Sequence, residues 1–187
     1  EQVPIPIDSA EAPFTSYGIS KTAGENYLIN SGLEVISFRL ANICGPRLSI
    51  GPIPTFYTRL KEGKSCFCSD TERDFLEISD FLDLMDIALF NSEGITGKFN
   101  VSTGEGNSIK DVFVAVCEYL EMEVPDLPIV PAGDDDVQKV VLDPTETEKV
   151  FGWKAKHNFK STINKQLEWY DKYGVSNIYS HLSAPKA

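Results

Sequence analysis

The feature that most constrains the fold is a run of apolar and β-branched residues at positions 34–44. It reads Glu-Val-Ile-Ser-Phe-Arg-Leu-Ala-Asn-Ile-Cys and is mostly apolar on both faces of an extended chain. Strands that are buried on both faces occur almost only in parallel sheets covered by helices. The run therefore predicts a central strand of an α/β fold.

Helical and extended segments alternate along the rest of the chain. Thr15 or Ser16 is predicted to cap a first helix that stops at Ser31 and Gly32. Apolar spacing and capping residues predict further helices over residues 54–63, 79–90, 108–121 and 161–173 and a short helix that starts at Pro144. Strands are predicted over residues 65–68, 74–78, 98–101 and 137–142. Residues 70–73 are predicted to form a polar turn, and residues 125–136 an irregular connector. This alternation favours the α/β fold class.

Charge and composition exclude several classes of protein. With 28 acidic and 17 basic residues the net charge is −11, which argues against binding to a nucleic-acid backbone. No apolar run reaches the roughly 20 residues needed to cross a bilayer, and the first residues lack the features of a signal peptide. We therefore expect no nucleic acid partner, no membrane partner and a cytoplasmic location.

No metal site is predicted. The four cysteines are too few and too poorly spaced for a disulfide framework or a zinc site, and we expect them to be reduced. Asp134, Asp135 and Asp136 are consecutive, so they cannot all face one ion, and a solvated loop is expected. His157 and His181 lie in polar surroundings and are predicted to be surface residues.

Tyr17 and Lys21 could carry acid–base chemistry. Four residues apart on a helix, they lie on one face. A phenol titrates at about 10, and a neighbouring cation lowers its pKa by favouring the phenolate, so the pair could act as a general acid or base. The same spacing recurs at Tyr57 and Lys61, and an amphipathic surface pair is the alternative interpretation.

Small residues surround only the first pair, where Gly18, Ser20, Ala23 and Gly24 allow close approach of a ligand or a backbone. Further motifs follow in order: Arg-Leu-Ala-Asn-Ile-Cys-Gly-Pro-Arg at 39–47, Arg-Asp-Phe at 73–75 with Ile-Ser-Asp at 78–80, Phe-Asn-Val at 99–101 before a glycine loop, and Asp143 before Phe-Gly-Trp at 151–153. With these motifs the chain resembles the extended short-chain dehydrogenase/reductase family, in particular its nucleotide-sugar epimerases and dehydratases.

The resemblance implies roles for individual residues. Tyr17 would be the acid/base, and Lys21 would hold the nicotinamide ribose and lower the pKa of Tyr17. Leu40 and Ala41 would lie beside the nicotinamide. The implied substrate-binding residues are Asn42, Arg47, Pro54, Phe56 and Arg73, with the arginines on the diphosphate and residues 52–56 along the nucleotide base. Without the resemblance, Asn42 could merely cap a strand end and Arg73 could belong to a surface turn.

The resemblance also implies a function and an organisation. It implies a homodimeric, NAD-dependent epimerase that oxidises a UDP-sugar transiently at C4, with NADP as the alternative cofactor. Dehydratases, decarboxylases and reductases of the family share the Tyr/Lys start, and a non-catalytic nucleotide-sugar-binding fragment is an alternative from another class. Residues 1–51 would end a Rossmann-type doubly wound sheet, to which residues 74–101 return, and residues 52–187 would form mostly a smaller mixed α/β substrate domain. The family's glycine loop would precede Glu1, so the isolated chain is expected to be inactive and to aggregate.

Overall fold

The computed structural model describes residues 2–133 and 136–176. The predictions for Asp134, Asp135 and His181 lie outside these residues. The helices of the described part are α1 (Ser16–Ile29), α2 (Pro52–Lys61), α3 (Ile78–Phe90), α4 (Ile109–Tyr119), α5 (Thr145–Phe151) and α6 (Phe159–Tyr173). Its strands are β1 (Ile36–Leu40), β2 (Asn42–Cys44), β3 (Cys68–Ser69), β4 (Glu72–Arg73), β5 (Phe75–Glu77), β6 (Gly97–Val101), β7 (Asn107–Ser108), β8 (Ile129–Val130) and β9 (Lys139–Val140).

The apolar run at 34–44 forms two strands, whereas the sequence predicts one. β1 pairs in parallel with β6, and β2 pairs in parallel with β5. The change of partner occurs at Ala41, whose N–H donates to the Val101 carbonyl at 2.9 Å, while the next N–H, of Asn42, donates to the Asp74 carbonyl at 3.0 Å. The chain thus passes from one parallel pair to the other, which confirms the α/β class.

Two predicted irregular segments contain strands. β4 lies in the predicted turn and pairs with β7 (antiparallel) and β9 (parallel), and β8 lies in the predicted connector and pairs in parallel with β3. Each of these strands has only two residues, so no alternation of polar and apolar residues can mark it. Their partners come from distant parts of the chain, and pairing overrides the turn-forming composition.

Two apolar clusters form the core. One joins the β1–β6 pair to α3 and α5 through the buried residues Leu76, Leu84, Phe99, Val101, Phe151 and Trp153. The other joins α2, α4 and α6, and its largest buried side chains include Ile53, Phe113, Ile163, Leu167 and Tyr170. The stripe predicted for the last helix, at Ile163, Leu167 and Tyr170, is confirmed.

Several helix ends differ from the predicted ones. α1 begins as predicted, because the Thr15 hydroxyl accepts the Gly18 N–H at 3.0 Å. For α3 the predicted caps Ser79 and Asp80 are wrong: the Glu77 carboxylate caps the helix by accepting the Ser79 N–H at 2.8 Å. α6 begins after Asn158 rather than at Ser161. Among the described helices, none has the length and apolar character that crossing a bilayer requires.

Candidate active site

The first Tyr/Lys pair is exposed to solvent on α1. The Tyr17 side chain is 73% exposed, and the Lys21 ammonium lies 5.3 Å from the centre of its ring. None of the described side chains of α1 is buried. The phenol and the ammonium are therefore adjacent and accessible to a ligand.

A charge cluster, consisting of Glu11, Glu25, Arg39 and Lys98, connects α1 to β1 and β6. Burial alone raises the pKa of Glu25, but hydrogen bonds from Arg39, Ser37 and Lys98 outweigh it and lower the pKa from 4.5 to about 2. A carboxylate with a lowered pKa in the folded state stabilises the fold above its unfolded pKa, and that contribution is lost as the pH falls towards the folded value. Near neutral pH, Glu25 therefore holds α1 against the sheet.

The predicted nicotinamide-contacting residues lie where β1 ends. Leu40 is 43% exposed and Ala41 is half-buried. Asn42 is exposed, but its side-chain amide donates to the Asp74 carbonyl at 3.1 Å, alongside its own N–H. In this structure Asn42 therefore caps a strand end, which is the alternative that the sequence analysis gives for it.

Asp74 shapes this edge of the sheet; in the sequence analysis it appears only as part of the Arg-Asp-Phe motif, with no role assigned to it. Its buried carboxylate accepts the Thr103 hydroxyl at 2.8 Å and the Gly104 N–H at 2.8 Å. Burial raises the pKa of Asp74, although these hydrogen bonds act to lower it. The carboxylate fixes the glycine loop that follows β6, and the signal for it in the sequence is the Arg-Asp-Phe motif.

The two predicted diphosphate-binding arginines differ in environment. The Arg73 side chain is 18% exposed; its guanidinium donates to the carbonyls of Glu72 and Gln138 and lies 3.2 Å from Asp136. Burial lowers the pKa of Arg73, although Asp136 opposes this. Arg47 is exposed in the turn after β2, with a left-handed φ of 68° that is uncommon for a residue other than glycine.

Pro54 and Phe56 belong to the segment that the resemblance places along the nucleotide base. Both residues are buried on α2, and the Phe56 ring packs edge-on against Phe113 with 5.2 Å between centroids. Helix α2 is amphipathic, and these residues lie on its inner face. The resemblance implies the segment but not the face of α2 that a ligand would meet.

The second Tyr/Lys pair is structural. Tyr57 is 5% exposed, its hydroxyl donates to Asp171 at 2.5 Å, and Lys61 donates to that hydroxyl at 3.0 Å. Burial and the Asp171 carboxylate raise the pKa of Tyr57, although Lys61 opposes this. A raised pKa disfavours the phenolate, so this pair does not suit proton abstraction near neutral pH.

Glu77, Asp80 and His157 offer ligand-type atoms within 4.8 Å of one another. The Lys165 ammonium lies 3.2 Å from Glu77 and 3.2 Å from the His157 ring, so a cationic group is already present there. The prediction that His157 is a surface residue is wrong: its side chain is 27% exposed, and its Nδ1 lies 3.0 Å from the buried Asp80 carboxylate. Asp80 also accepts the N–H groups of Lys156 and His157, each at 3.0 Å.

Solved structures with the same fold are known. The Bordetella bronchiseptica enzyme WbmG, crystallised with NAD and UDP, is 63% identical with a TM-score of 0.89, over 98% of this chain and 59% of that chain. The UDP-glucose 4-epimerase of Thermotoga maritima, crystallised with UDP-glucose, is 25% identical with a TM-score of 0.81, over 92% and 58%. These matches confirm the predicted α/β fold class of Rossmann type.

Sequence comparison points the same way. UDP-arabinose 4-epimerase 1 of Arabidopsis thaliana is 25% identical over 197 residues, which cover 89% of this chain and 47% of that protein. The chain thus spans about half the length of the curated relatives that it matches. A family profile described as "NAD dependent epimerase/dehydratase family" matches residues 2–102. The resemblance drawn from the sequence is therefore confirmed, and the chain belongs to the NAD-dependent epimerase/dehydratase family.

Proposed function

We propose that the chain supplies the acid/base and substrate-binding part of an NAD-dependent nucleotide-sugar epimerase that acts on a UDP-sugar at C4, in sugar-nucleotide or surface-polysaccharide metabolism. The observation that carries the proposal is the exposed Tyr17–Lys21 pair on α1. The relatives support it, since they include UDP-sugar 4-epimerases and an enzyme crystallised with NAD and UDP.

The residues present suit NAD. In parallel sheets, ligands bind beyond the carboxyl ends of the strands where the order of strands changes, and Leu40 and Ala41 lie where the chain changes partner from β6 to β5. The Tyr17 hydroxyl and the Lys21 ammonium provide donors for ribose hydroxyls. When bound, NAD would supply reversible hydride transfer.

Tyr17 would carry out the proton transfer. Its Oη would take the proton from the sugar C4 hydroxyl and later return it, and the Lys21 ammonium lies 5.3 Å from the centre of its ring. Because the same group removes and restores the proton, no net acid or base is consumed. Inversion then requires only that the oxidised sugar present its other face before the hydrogen returns to C4.

The substrate diphosphate would lie against Arg73 and Arg47, because a planar guanidinium suits bidentate contact with phosphate oxygens. Binding would exchange the Arg73–Asp136 contact of 3.2 Å for a contact with phosphate. Asn42, which is exposed, would lie beside the diphosphate. We further propose a cytoplasmic homodimer, with residues 1–51 in the Rossmann unit and residues 52–187 mostly in the substrate unit.

The proposal is tested by the small molecules that the intact protein carries. Purified protein is denatured, and the released compounds are identified by absorbance and mass spectrometry. We expect NAD together with a uridine nucleotide or UDP-sugar. The proposal fails if nothing is released and neither NAD nor any UDP-sugar binds on titration. Binding of a UDP-sugar without NAD would favour the non-catalytic nucleotide-sugar-binding fragment.

Substitution of Arg73 with Gln is expected to raise the KM for the UDP-sugar about 10- to 100-fold, because a hydrogen bond to a charged group contributes about 1.5–3 kcal/mol. The measurement is the initial rate against UDP-sugar concentration. Arg59→Gln is the matched control, since the Arg59 guanidinium donates to the Ser65 carbonyl, at 2.8 Å for Nε, and has no proposed role at the diphosphate. Equal KM values for the two variants would remove Arg73 from the diphosphate site.

A further inference from the structure

Asp74 connects two strands that belong to different sheets. The strand before it, β4, pairs with β7 and β9, and the strand after it, β5, pairs with β2. Asp74 itself is 0% exposed. The chain therefore changes from one sheet to the other at a single buried carboxylic acid, directly after Arg73, the arginine proposed for the substrate diphosphate.

The main-chain carbonyl of Asp74 fixes Asn42. It accepts the Asn42 N–H at 3.0 Å and the Asn42 side-chain amide at 3.1 Å. Both distances are those of ordinary N–H···O hydrogen bonds, so the backbone and the side chain of Asn42 are restrained together. Because Arg73 and Asp74 are adjacent in the chain, the position of Asn42 is tied to that of Arg73.

The side-chain carboxylate of Asp74 fixes the start of the glycine loop (residues 103–106). It accepts the Thr103 hydroxyl at 2.8 Å, the Gly104 N–H at 2.8 Å and the Thr103 N–H at 3.1 Å. Hydrogen bonds to an ionised acceptor are stronger than those between neutral groups. Several of them from consecutive residues restrain both the position and the orientation of the loop.

The end of the same loop returns to the strand that carries Arg73. Asn107, in β7, is the antiparallel partner of Arg73. Just before it, Gly106 passes so close to β4 that a Cβ there would meet the Glu72 carboxylate and lie 2.8 Å from the Val141 side chain. The glycine loop is thus attached at its start to the buried carboxylate and at its end to β4.

Main-chain acceptors of the same region orient the Arg73 guanidinium. It donates to the carbonyl of Glu72 at 2.9 Å and to that of Gln138 at 3.2 Å. The Gln138 carbonyl also accepts the Glu72 N–H at 2.7 Å, directly before the pairing of β4 with β9. A shift of β4 relative to β2 would therefore carry the guanidinium away from Asn42.

We propose that Asp74 is a positioning residue for substrate binding: its carbonyl and its carboxylate together set Arg73 and Asn42 at the separation at which both meet one diphosphate. Asp74 does not touch the substrate and acts through Arg73. The inference rests on the proposed function for the identity of the ligand. The restraint of the glycine loop by the carboxylate is measurable without any substrate.

A double-mutant cycle in the intact protein tests this role, with UDP as the probe. Asp74→Asn, Arg73→Gln and the double variant are compared by titration calorimetry with UDP, by kcat and KM for the UDP-sugar, and by hydrogen–deuterium exchange of residues 103–106. Asp143→Asn is the matched control, because the Asp143 carboxylate accepts the N–H and the hydroxyl of Thr145 at 2.9 and 2.5 Å. Thr103→Val removes one donor to Asp74 and keeps the test decisive should Asp74→Asn not fold.

For Asp74→Asn we expect UDP to bind about 10-fold more weakly and KM to rise equally with kcat nearly unchanged, because a small misplacement of a binding group is costly. In the Arg73→Gln background the same change should weaken UDP binding less than about twofold, since residues that act as a unit are not additive. Thr103→Val should show the same pattern. Exchange over residues 103–106 should quicken in both, and Asp143→Asn should match the wild type.

The inference is overturned if Asp74→Asn weakens UDP binding as much in the Arg73→Gln background as in the wild type, because its effect would then not pass through Arg73. Binding of UDP by Asp74→Asn and Thr103→Val as tight as that of the control would overturn it as well. If Arg73→Gln itself binds UDP like the wild type, the diphosphate role of Arg73 fails, and the positioning role fails with it. Tight UDP binding without any epimerisation would count against the proposed function alone.

Discussion

Replacement of Tyr17 with Phe is expected to lower kcat for epimerisation by about 10²- to 10⁴-fold, the range that a positioned general acid or base contributes. The change removes one oxygen atom from a side chain that is 73% exposed. Because packing around that atom is minimal, the free energy of unfolding should not change. NAD should still bind, since Lys21 and the end of β1 remain.

The chain offers a matched control in its second Tyr/Lys pair. Tyr57→Phe removes the same atom from a buried ring whose hydroxyl donates to Asp171. This variant should lose stability but keep its kcat, the reverse of Tyr17→Phe. Rates and denaturant unfolding of both variants give the comparison, and equal losses of kcat would mean that the pair on α1 has no special role.

Replacement of Asp80 with Ala is expected to lower the free energy of unfolding by at least about 2 kcal/mol, because two partly buried N–H groups lose their acceptor and a donor left without a partner costs about 1–3 kcal/mol. Asp80 is 1% exposed, and its carboxylate accepts the N–H groups of Lys156 and His157 and meets the His157 ring. These contacts hold the segment between α5 and α6 against the start of α3.

Denaturant unfolding of the intact protein provides the measurement for Asp80. The midpoint should fall while the slope m stays constant, since the surface exposed on unfolding is unchanged. Asp83→Asn, which breaks an exposed pair with Lys156, should leave the midpoint almost in place. A loss below about 1 kcal/mol for Asp80→Ala would mean that water replaces the carboxylate at little cost.

Local pattern predicts the elements whose signal lies within a few residues. The first helix begins at its predicted cap because Thr15 precedes it, and Ser108 with Asp111 forms a capping box at α4. The strands β4 and β8 escape prediction because each is short and is made by a partner far along the chain. For the same reason the division of the apolar run at Ala41 depends on two partners that the run itself does not reveal.

The residues of the candidate site likewise differ in how far the sequence predicts them. The family motifs lead directly to Tyr17 and Lys21, and the structure finds them adjacent and exposed. The resemblance places Phe56 along the nucleotide base, but its side chain packs in the core, because a resemblance does not specify which side of a helix is buried. Acidic residues such as Asp80 resemble surface residues in a sequence; its burial arises from contacts with residues more than 70 positions later.

The central claim is that Tyr17 exchanges a proton with the C4 hydroxyl of a UDP-sugar, and NMR of the sugar in D₂O tests it most directly. The intact protein is incubated with UDP-glucose, UDP-arabinose and their C4 epimers, and the C4 signal is followed with wild type and Tyr17→Phe. We expect wild type to interconvert one such pair with the hydrogen on C4 retained, and the variant to be at least about 10²-fold slower. No epimer with any of these sugars, or equal rates for wild type and variant, would contradict the claim.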